Sequence, residues 1–238
     1  MLLSVLVPVY NGAPYLERCL GELVNTLNPK SYAWEVIVCE DGSTDGTKQL
    51  CATLRTRYPQ VRFINSDKRL GRGGALNRAM EDAKGDIVAY VDVDMATDAR
   101  HLDDLVRHAG NGSDVVIGSR YAPGSKSRRS FGRRAYSLVY NALIRSLFRS
   151  RIRDHQCGFK AFKREALEAV LPRVHSRHWF WDTEVLVHAQ AMGLRVSEIP
   201  VDWEENPDHS TMNMRKDVPY FVREIVALRR EMRKQRNT

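Results

Sequence analysis

The chain has 238 residues, 43% of them hydrophobic and 28% charged, with a formal net charge of +8. That length suits one large α/β domain with a substantial buried core. No apolar run approaches the roughly 20 residues that span a bilayer. The four cysteines (Cys19, Cys39, Cys51, Cys157) lack CxxC spacing, which excludes a zinc or disulfide framework and points to reduced cytosolic thiols.

Met1–Pro8 carries no basic lead and no cleavage site, so it reads as a first strand, Leu3–Val9, rather than a signal segment. A helix over Pro14–Leu27 follows, then strand Glu35–Cys39, helix Thr44–Arg57 and strand Val61–Ile64. Helix Gly73–Ala83, strand Ile87–Val91, helix His101–Ala109 and strand Val115–Gly118 continue the alternation. Such alternation means βαβ units and a mainly parallel sheet flanked by helices. Tyr121–Ser130 is a Gly, Ser and basic loop expected to be mobile. Phe131–Phe148 reads as an amphipathic helix with Leu138, Val139, Ala142, Leu143, Leu147 and Phe148 among arginines. Helices return near Arg164–Val170, Thr183–Met192 and Asp217–Lys234, with a strand near Val196–Val201. The last helix sets Tyr220, Phe221, Ile225, Val226 and Leu228 amid basic residues.

Charge is unevenly placed. Residues 1–118 hold 13 Lys and Arg against 16 acids, whereas residues 119–238 hold 24 against 13. Between Val115 and Arg153 ten residues are Lys or Arg and none is acidic. Such a stretch implies an anionic partner: nucleic acid, an anionic membrane surface or a phosphorylated substrate.

The strand Ile87–Val91 runs straight into Asp92-Val93-Asp94. Open α/β sheets bind ligands at the carboxyl edge, where these acids emerge. Both can reach one ion only if the strand bends or ends there. The pair either holds a hard divalent cation with substrate phosphates, or ends the strand and caps a helix beginning near Asp98. Two other strand ends carry polar groups. Pro8, Tyr10 and Asn11 end the first, and Tyr10 offers a ring edge to a flat heterocycle. Asp41 ends the second and offers a carboxylate to a nucleobase or ribose, while Ser43 or Thr44 would cap the next helix. Lys68-Arg69-Leu70-Gly71-Arg72-Gly73-Gly74 precedes a helix, and glycines beside cations there make a phosphate cradle or a solvated basic turn. One diphosphonucleotide lying across the sheet edge would touch all of these positions.

In order and spacing, VPVYNG, EDGSTDGT, RLGRGGAL, DVDMATD, GSRY, IRDHQCGFKAF, WFWDTEVL and EIPVDW resemble family 2 glycosyltransferases of the GT-A fold. The resemblance is to the polyprenyl-phosphate sugar synthase branch, and GRGGA with DVDMAT is most similar to dolichyl-phosphate β-glucosyltransferases. It implies a single catalytic domain over residues 1–238, with a nucleotide-sugar-binding half (1–118) and an acceptor-binding, membrane-facing half (119–238). It further implies a nucleotide diphosphate sugar donor, glucose from UDP-glucose or mannose from GDP-mannose. The acceptor would be a polyprenyl or dolichyl phosphate, with inversion at the anomeric carbon and Mg²⁺ or Mn²⁺ held by Asp92 and Asp94. Gly12 stands where family members often carry Glu, and Ala96 where many mannosyl synthases carry Gln.

On this resemblance the donor site comprises Pro8, Tyr10, Asn11, Asp41, Arg69, Arg72, Gly73, Asp92, Val93 and Asp94. Arg120, Arg133 and Ser137 would hold the acceptor phosphate, with Arg134 an equal candidate for Arg133. The catalytic set is Asp92, Asp94, Arg120, Asp154 and Asp182. Asp154 either shapes the sugar site or pairs with an acceptor arginine. Asp182 either meets sugar hydroxyls or caps a helix, as does Glu184, and one of Trp179 and Trp181 stacks on sugar or packs. Both amphipathic helices fit an interfacial position on the cytoplasmic face of a membrane. A glycan hydroxyl acceptor, which would make Asp182 or Asp154 a base, is the second reading. A nucleic-acid-binding module is a third, disfavoured because aromatics do not interleave with the basic stretch. Oligomeric state stays open.

Overall fold

A computed structural model describes residues 1–206 and 214–236. The elements in chain order are β1 (Leu2–Val9), α1 (Ala13–Leu27), β2 (Ala33–Asp41), α2 (Thr47–Arg57), β3 (Val61–Ser66), α3 (Arg72–Asp82), β4 (Ile87–Tyr90), α4 (Leu102–Gly110) and β5 (Val115–Ser119). They continue as β6 (Lys126–Arg128), α5 (Phe131–Phe148), β7 (Lys160–Lys163), α6 (Arg164–Val170), α7 (Trp181–Ala191), β8 (Val196–Pro200), β9 (Asp202–Glu204) and α8 (Met214–Arg236).

Seven strands form one sheet in the order β3-β2-β1-β4-β7-β5-β8, and β6 pairs with β9 beside it. All pairings of the large sheet are parallel except those of β7, which runs antiparallel to both β4 and β5. The expected mainly parallel sheet flanked by helices is therefore present. β1 shows why its sequence is an unbroken apolar run: both its faces are covered. Leu3, Val5, Val7 and Val9 pack with Leu16, Leu20 and Leu23 of α1 and Leu102 and Leu105 of α4. Leu6 points the other way, to Leu76 of α3 and Val185 and Leu186 of α7. The division between the acidic and basic parts of the chain falls inside β5, and the sheet crosses it without a break.

Several expectations need correction. β7 was absent from the strand pattern because Lys160-Ala161-Phe162-Lys163 has no apolar run, yet it sits in the middle of the sheet. The Tyr121–Ser130 loop contains β6, pinned to β9 in parallel register. α2 starts at Thr47 behind a left-handed Gly46 (φ 93°), not at Thr44. Ser43 and Thr44 serve Asn11 instead. Ser43 Oγ accepts the Asn11 N–H at 3.0 Å, and the Thr44 N–H donates to Asn11 Oδ1 at 2.8 Å. Asp45 replaces them as the partner of the Thr47 N–H, at 3.0 Å.

The apolar stripe of α8 is also mostly internal. Phe221, Ile225 and Leu228 are buried with Tyr140 and Ile144 of α5 and Phe180 and Val187 near and on α7. What α5 and α8 turn outward is a different set: Phe131 (88% exposed), Leu138, Val139 (69%), Leu143, Val218, Val222 and Val226. No helix among the described residues is long and apolar enough to cross a membrane. All four cysteines are buried and unpaired.

At Gly73, α3 packs tightly against Trp181 of α7. A Cβ there would stand 2.6 Å from Trp181 Cβ, whereas one at Gly132 would meet nothing within 4 Å. Overpacking a filled contact costs about 1–3 kcal/mol. Gly73→Ala is therefore expected to lower the urea-unfolding free energy by that amount. Gly132→Ala, in the first turn of α5, should raise it by up to about 1 kcal/mol. Equal effects of the two substitutions would contradict the packing described.

Candidate functional site

The carboxyl ends of β1, β2 and β4 open into a cleft of about 310 Å³. β4 ends at Tyr90, and a tight turn follows in which the Met95 N–H donates to the Asp92 carbonyl at 3.0 Å. Met95 takes the left-handed φ of 52°. The strand thus ends where it must for Asp92 and Asp94 to share one wall of the cleft. Neither acid caps the helical turn at Ala99–His101; Asp98 does, accepting the Arg100 N–H.

Pro8, Tyr10, Asp41, Arg69, Arg72, Asp92, Val93 and Asp94 of the expected donor set all line this cleft, as do Arg120, Arg133, Ser137 and Asp182. Asn11, Gly73, Arg134 and Asp154 do not. Asn11 braces the β2–α2 loop, and Gly73 faces Trp181. Arg134 is an exposed residue of α5. Asp154 is fully buried behind Arg120.

Many of the lining groups are already engaged, which alters their roles. Asp41 accepts the backbone N–H groups of Leu70 at 2.6 Å and Gly71 at 3.0 Å, so its carboxylate shapes the loop ahead of α3. Burial raises its pKa in spite of those donors. The Gly74 N–H is likewise taken, by the Arg177 carbonyl at 3.1 Å. Three N–H groups of the expected phosphate cradle are therefore already engaged within the protein. Arg69 lies 3.8 Å from the centroid of the Tyr10 ring and covers one of its faces.

Arg72 turns inward and links two acids. Its Nη2 donates to Asp92 Oδ1 at 2.7 Å and its Nη1 to Asp182 Oδ2. Lys160 Nζ donates to Asp182 Oδ1 at 2.6 Å, and the Tyr90 hydroxyl donates to the same oxygen. Burial alone would raise the Asp182 carboxyl, but Arg72 and Lys160 outweigh it and hold the group below the usual carboxylate range. Asp182 caps no helix: α7 begins after Phe180 without a side-chain cap. Asp92 Oδ2 lies so close to the Gly158 backbone that a Cβ at 158 would stand 1.8 Å from it. Asp94 Oδ1 accepts the Ala96 N–H at 3.1 Å.

A second pair closes the basic side. Arg120 grips Asp154 through Nε and Nη2, both at 2.7 Å, inside the protein. Burial opposes the charge of Asp154, but Arg120 prevails and keeps its pKa low. The salt-bridge alternative for Asp154 is the observed one. Arg133 is paired with Glu205, and Ser137 Oγ donates to Gln156 Oε1 at 3.4 Å. Trp181 is buried and donates to Asn77 Oδ1 at 2.7 Å, so of this pair it is Trp179 that lines the cleft. Glu184 accepts the Ser176 N–H at 2.7 Å, away from the cleft. His155 is enclosed between Asn141 and Ser150, and burial lowers its pKa to about 3.

Sequence reasoning missed two residues. Lys160 sits in the unrecognised β7, and nothing in its neighbours signals a buried ammonium. Arg129 was one of ten basic residues in an acid-free stretch, with no local feature to single it out. In the structure it lines the cleft, 5.3 Å from the Trp203 ring centroid. Its Nε is buried without a hydrogen-bond partner, and among the described residues it forms no ion pair. Its Nη1 donates to the Tyr121 hydroxyl at 3.3 Å, and burial and then the neighbouring Arg120 push its pKa down against the smaller opposing pull of Tyr121, Asp154 and Glu205.

The cleft fits a divalent cation by its donor chemistry. Asp92 and Asp94 offer carboxylate oxygens alone, on one turn, with open space for further oxygen ligands. Asp92 Oδ1 also accepts from Arg72.

The glycosyl transferase family 2 profile matches residues 4–171. Glycosyltransferase AglD of Haloferax volcanii is 49% identical over 208 residues, covering 86% of this chain and 33% of that protein. A dolichyl-phosphate beta-glucosyltransferase of Trichomonas vaginalis, ALG5A, is 33% identical over 213 residues, covering 85% of this chain and 66% of that protein. The chain thus spans one third of the first relative and about two thirds of the second. Among solved structures, glucosyl-3-phosphoglycerate synthase from Mycobacterium tuberculosis, in complex with Mn²⁺, UDP and glucosyl-3-phosphoglycerate, has a TM-score of 0.66. It is 20% identical, over 95% of this chain and 77% of that one. The parallel sheet, its antiparallel β7 and the acidic turn after β4 are a GT-A arrangement. The chain belongs to glycosyl transferase family 2.

Proposed function

We propose that this chain transfers a hexose from a nucleotide diphosphate sugar to a polyprenyl phosphate of the dolichyl type, with inversion. The observation that carries this reading is the state of the carboxylates around the cleft. Asp182 is held by three donors, Asp154 by a two-pronged arginine, Asp41 by two backbone N–H groups and Glu205 by Arg133. Attack by a sugar hydroxyl needs a general base. Asp182 and Asp154, the two base candidates, have depressed pKa values and filled lone pairs. A phosphate acceptor is already ionised and needs no base, so this cleft suits it and not a glycan hydroxyl.

What such a reaction needs is management of two anions. A divalent cation, Mg²⁺ or Mn²⁺, would be held by Asp94 with Asp92 beside it, and when bound it neutralises the departing diphosphate. Arg129 supplies a separate cation for the acceptor phosphate, near the Trp203 ring, in the cleft that the paired Arg120 and Arg133 also line. Keeping the two anions on different cations fixes their relative orientation, which contributes several kcal/mol toward the barrier. The likeness to dolichyl-phosphate beta-glucosyltransferases supports glucose as the transferred hexose.

The outward apolar residues of α5 and α8 support peripheral contact with a membrane. Phe131, Leu138, Val139 and Leu143 on α5 stand beside the exposed Arg134, Arg145 and Arg149. Val222 and Val226 of α8 stand beside Arg223, Arg229 and Arg230. Each basic side chain near an anionic leaflet contributes about 1 kcal/mol.

A transfer assay with UDP-glucose, GDP-mannose, dolichyl phosphate and a free glycan tests the whole reading. Label should move from UDP-glucose to dolichyl phosphate only, and EDTA should abolish transfer. Asp94→Asn is expected to lower kcat on the order of 10²-fold or more. Label appearing on the glycan instead would overturn the acceptor assignment. Arg129→Gln removes one charge-assisted contact and should raise the KM for dolichyl phosphate about 10–100-fold, with the KM for UDP-glucose unchanged. Arg134→Gln, outside the cleft, should alter neither constant. In flotation with anionic vesicles at low salt, Phe131→Ser with Val139→Ser should reduce binding; unchanged binding would remove the membrane face from the account.

A further inference from the structure

A second cluster of metal-ligand side chains lies on the back of α7, away from the cleft. We propose that Glu184, His188 and Glu231 form a zinc site, completed by His175, that fastens α8 to α7. Glu184 and His188 are four residues apart, so they lie one above the other on one helical face. Asp182 is two residues from Glu184, about 200° around the helix, and faces the cleft. Glu231 reaches the cluster from α8. One ligand atom from each of Glu184, His188 and Glu231 lies within 4.8 Å of the others.

Nε2 of His188 is the observation that asks for a ligand. The side chain is 1% exposed, and Nε2 is buried with no hydrogen-bond partner. Glu231 Oε1 stands 3.7 Å from it, beyond hydrogen-bond reach but across a gap that a shared cation would bridge. Glu231 Oε2 faces His175 Nε2 at 3.9 Å, which places an exposed fourth donor at the mouth of the site.

The donor set selects the ion. Two imidazoles and two carboxylates suit zinc at about 2.0–2.2 Å, and the carboxylates offset its charge. Mg²⁺ prefers oxygen alone with several waters, so the two sites discriminate between ions. A metal here would cross-link the last helix to the element that carries Asp182.

The full chain, stripped with EDTA and titrated with Co²⁺ and with Zn²⁺, provides the test. One equivalent of Co²⁺ should give the intense visible absorption of a tetrahedral nitrogen and oxygen site, and Zn²⁺ should abolish it. Saturating Zn²⁺ should raise Tm by roughly 5 °C or more. Both signals should survive in Asp94→Asn and vanish in His188→Gln and Glu231→Gln. Where His188→Gln fails to fold, Glu231→Gln, at a partly exposed position, carries the comparison. Only weak octahedral absorption in the unsubstituted chain, or both signals persisting in Glu231→Gln, would overturn the site.

Discussion

The cleft is organised around a buried set of charges in which Arg72 and Lys160 share Asp182, and Arg72 also holds Asp92. These residues come from α3, β7, α7 and the turn after β4, so four separate elements meet at one electrostatic knot. Taking ions out of water is expensive, and the arrangement tolerates it only because each charge finds a partner with good geometry. Removal of Asp182 would leave the buried Lys160 ammonium uncompensated, at about 3–5 kcal/mol. The Tyr90 ring, 5.4 Å from the Arg72 guanidinium, and Trp181 seal the knot from below.

This knot also determines which chemistry the cleft can host. A carboxylate whose lone pairs are filled by Arg, Lys and Tyr donors is a rigid strut and a poor proton acceptor. The same holds for Asp154 under Arg120. Asp94 and Arg129 lie at the rim of the same cleft. The positive charge of the chain thus serves three purposes. Some of it is internal, as in Arg72 and Arg120; some faces the cleft, as in Arg129; and some lies outward on α5 and α8 beside exposed valines and leucines.

α7 joins these parts. Its first turn carries Asp182 into the knot, its inner face packs Val185 and Leu186 against the sheet, and its back presents Glu184 and His188 toward α8. With nine of its eleven residues buried, it is hydrophobic and polar on every side for a reason. Each face meets a different neighbour.

The strand–helix alternation, the parallel sheet and the acidic turn were legible in the sequence. Local periodicity and an apolar run ending in two acids are properties of contiguous residues. Most of the residues expected at the site do reach it, because strand ends at one sheet edge converge whatever lies between them. Tertiary structure alone decided β7, whose four residues have no pattern of their own, and which acids stay available for chemistry. Asp182, Asp154 and Asp41 look alike as sequence. Their differences come from Arg72, Arg120 and two backbone amides that folding brings from 110, 34 and about 30 residues away. The sequence determined that this chain builds a sheet edge lined by acids and arginines. Pairing across long separations, where desolvation makes every partner count, decided which of those charges are held by one another.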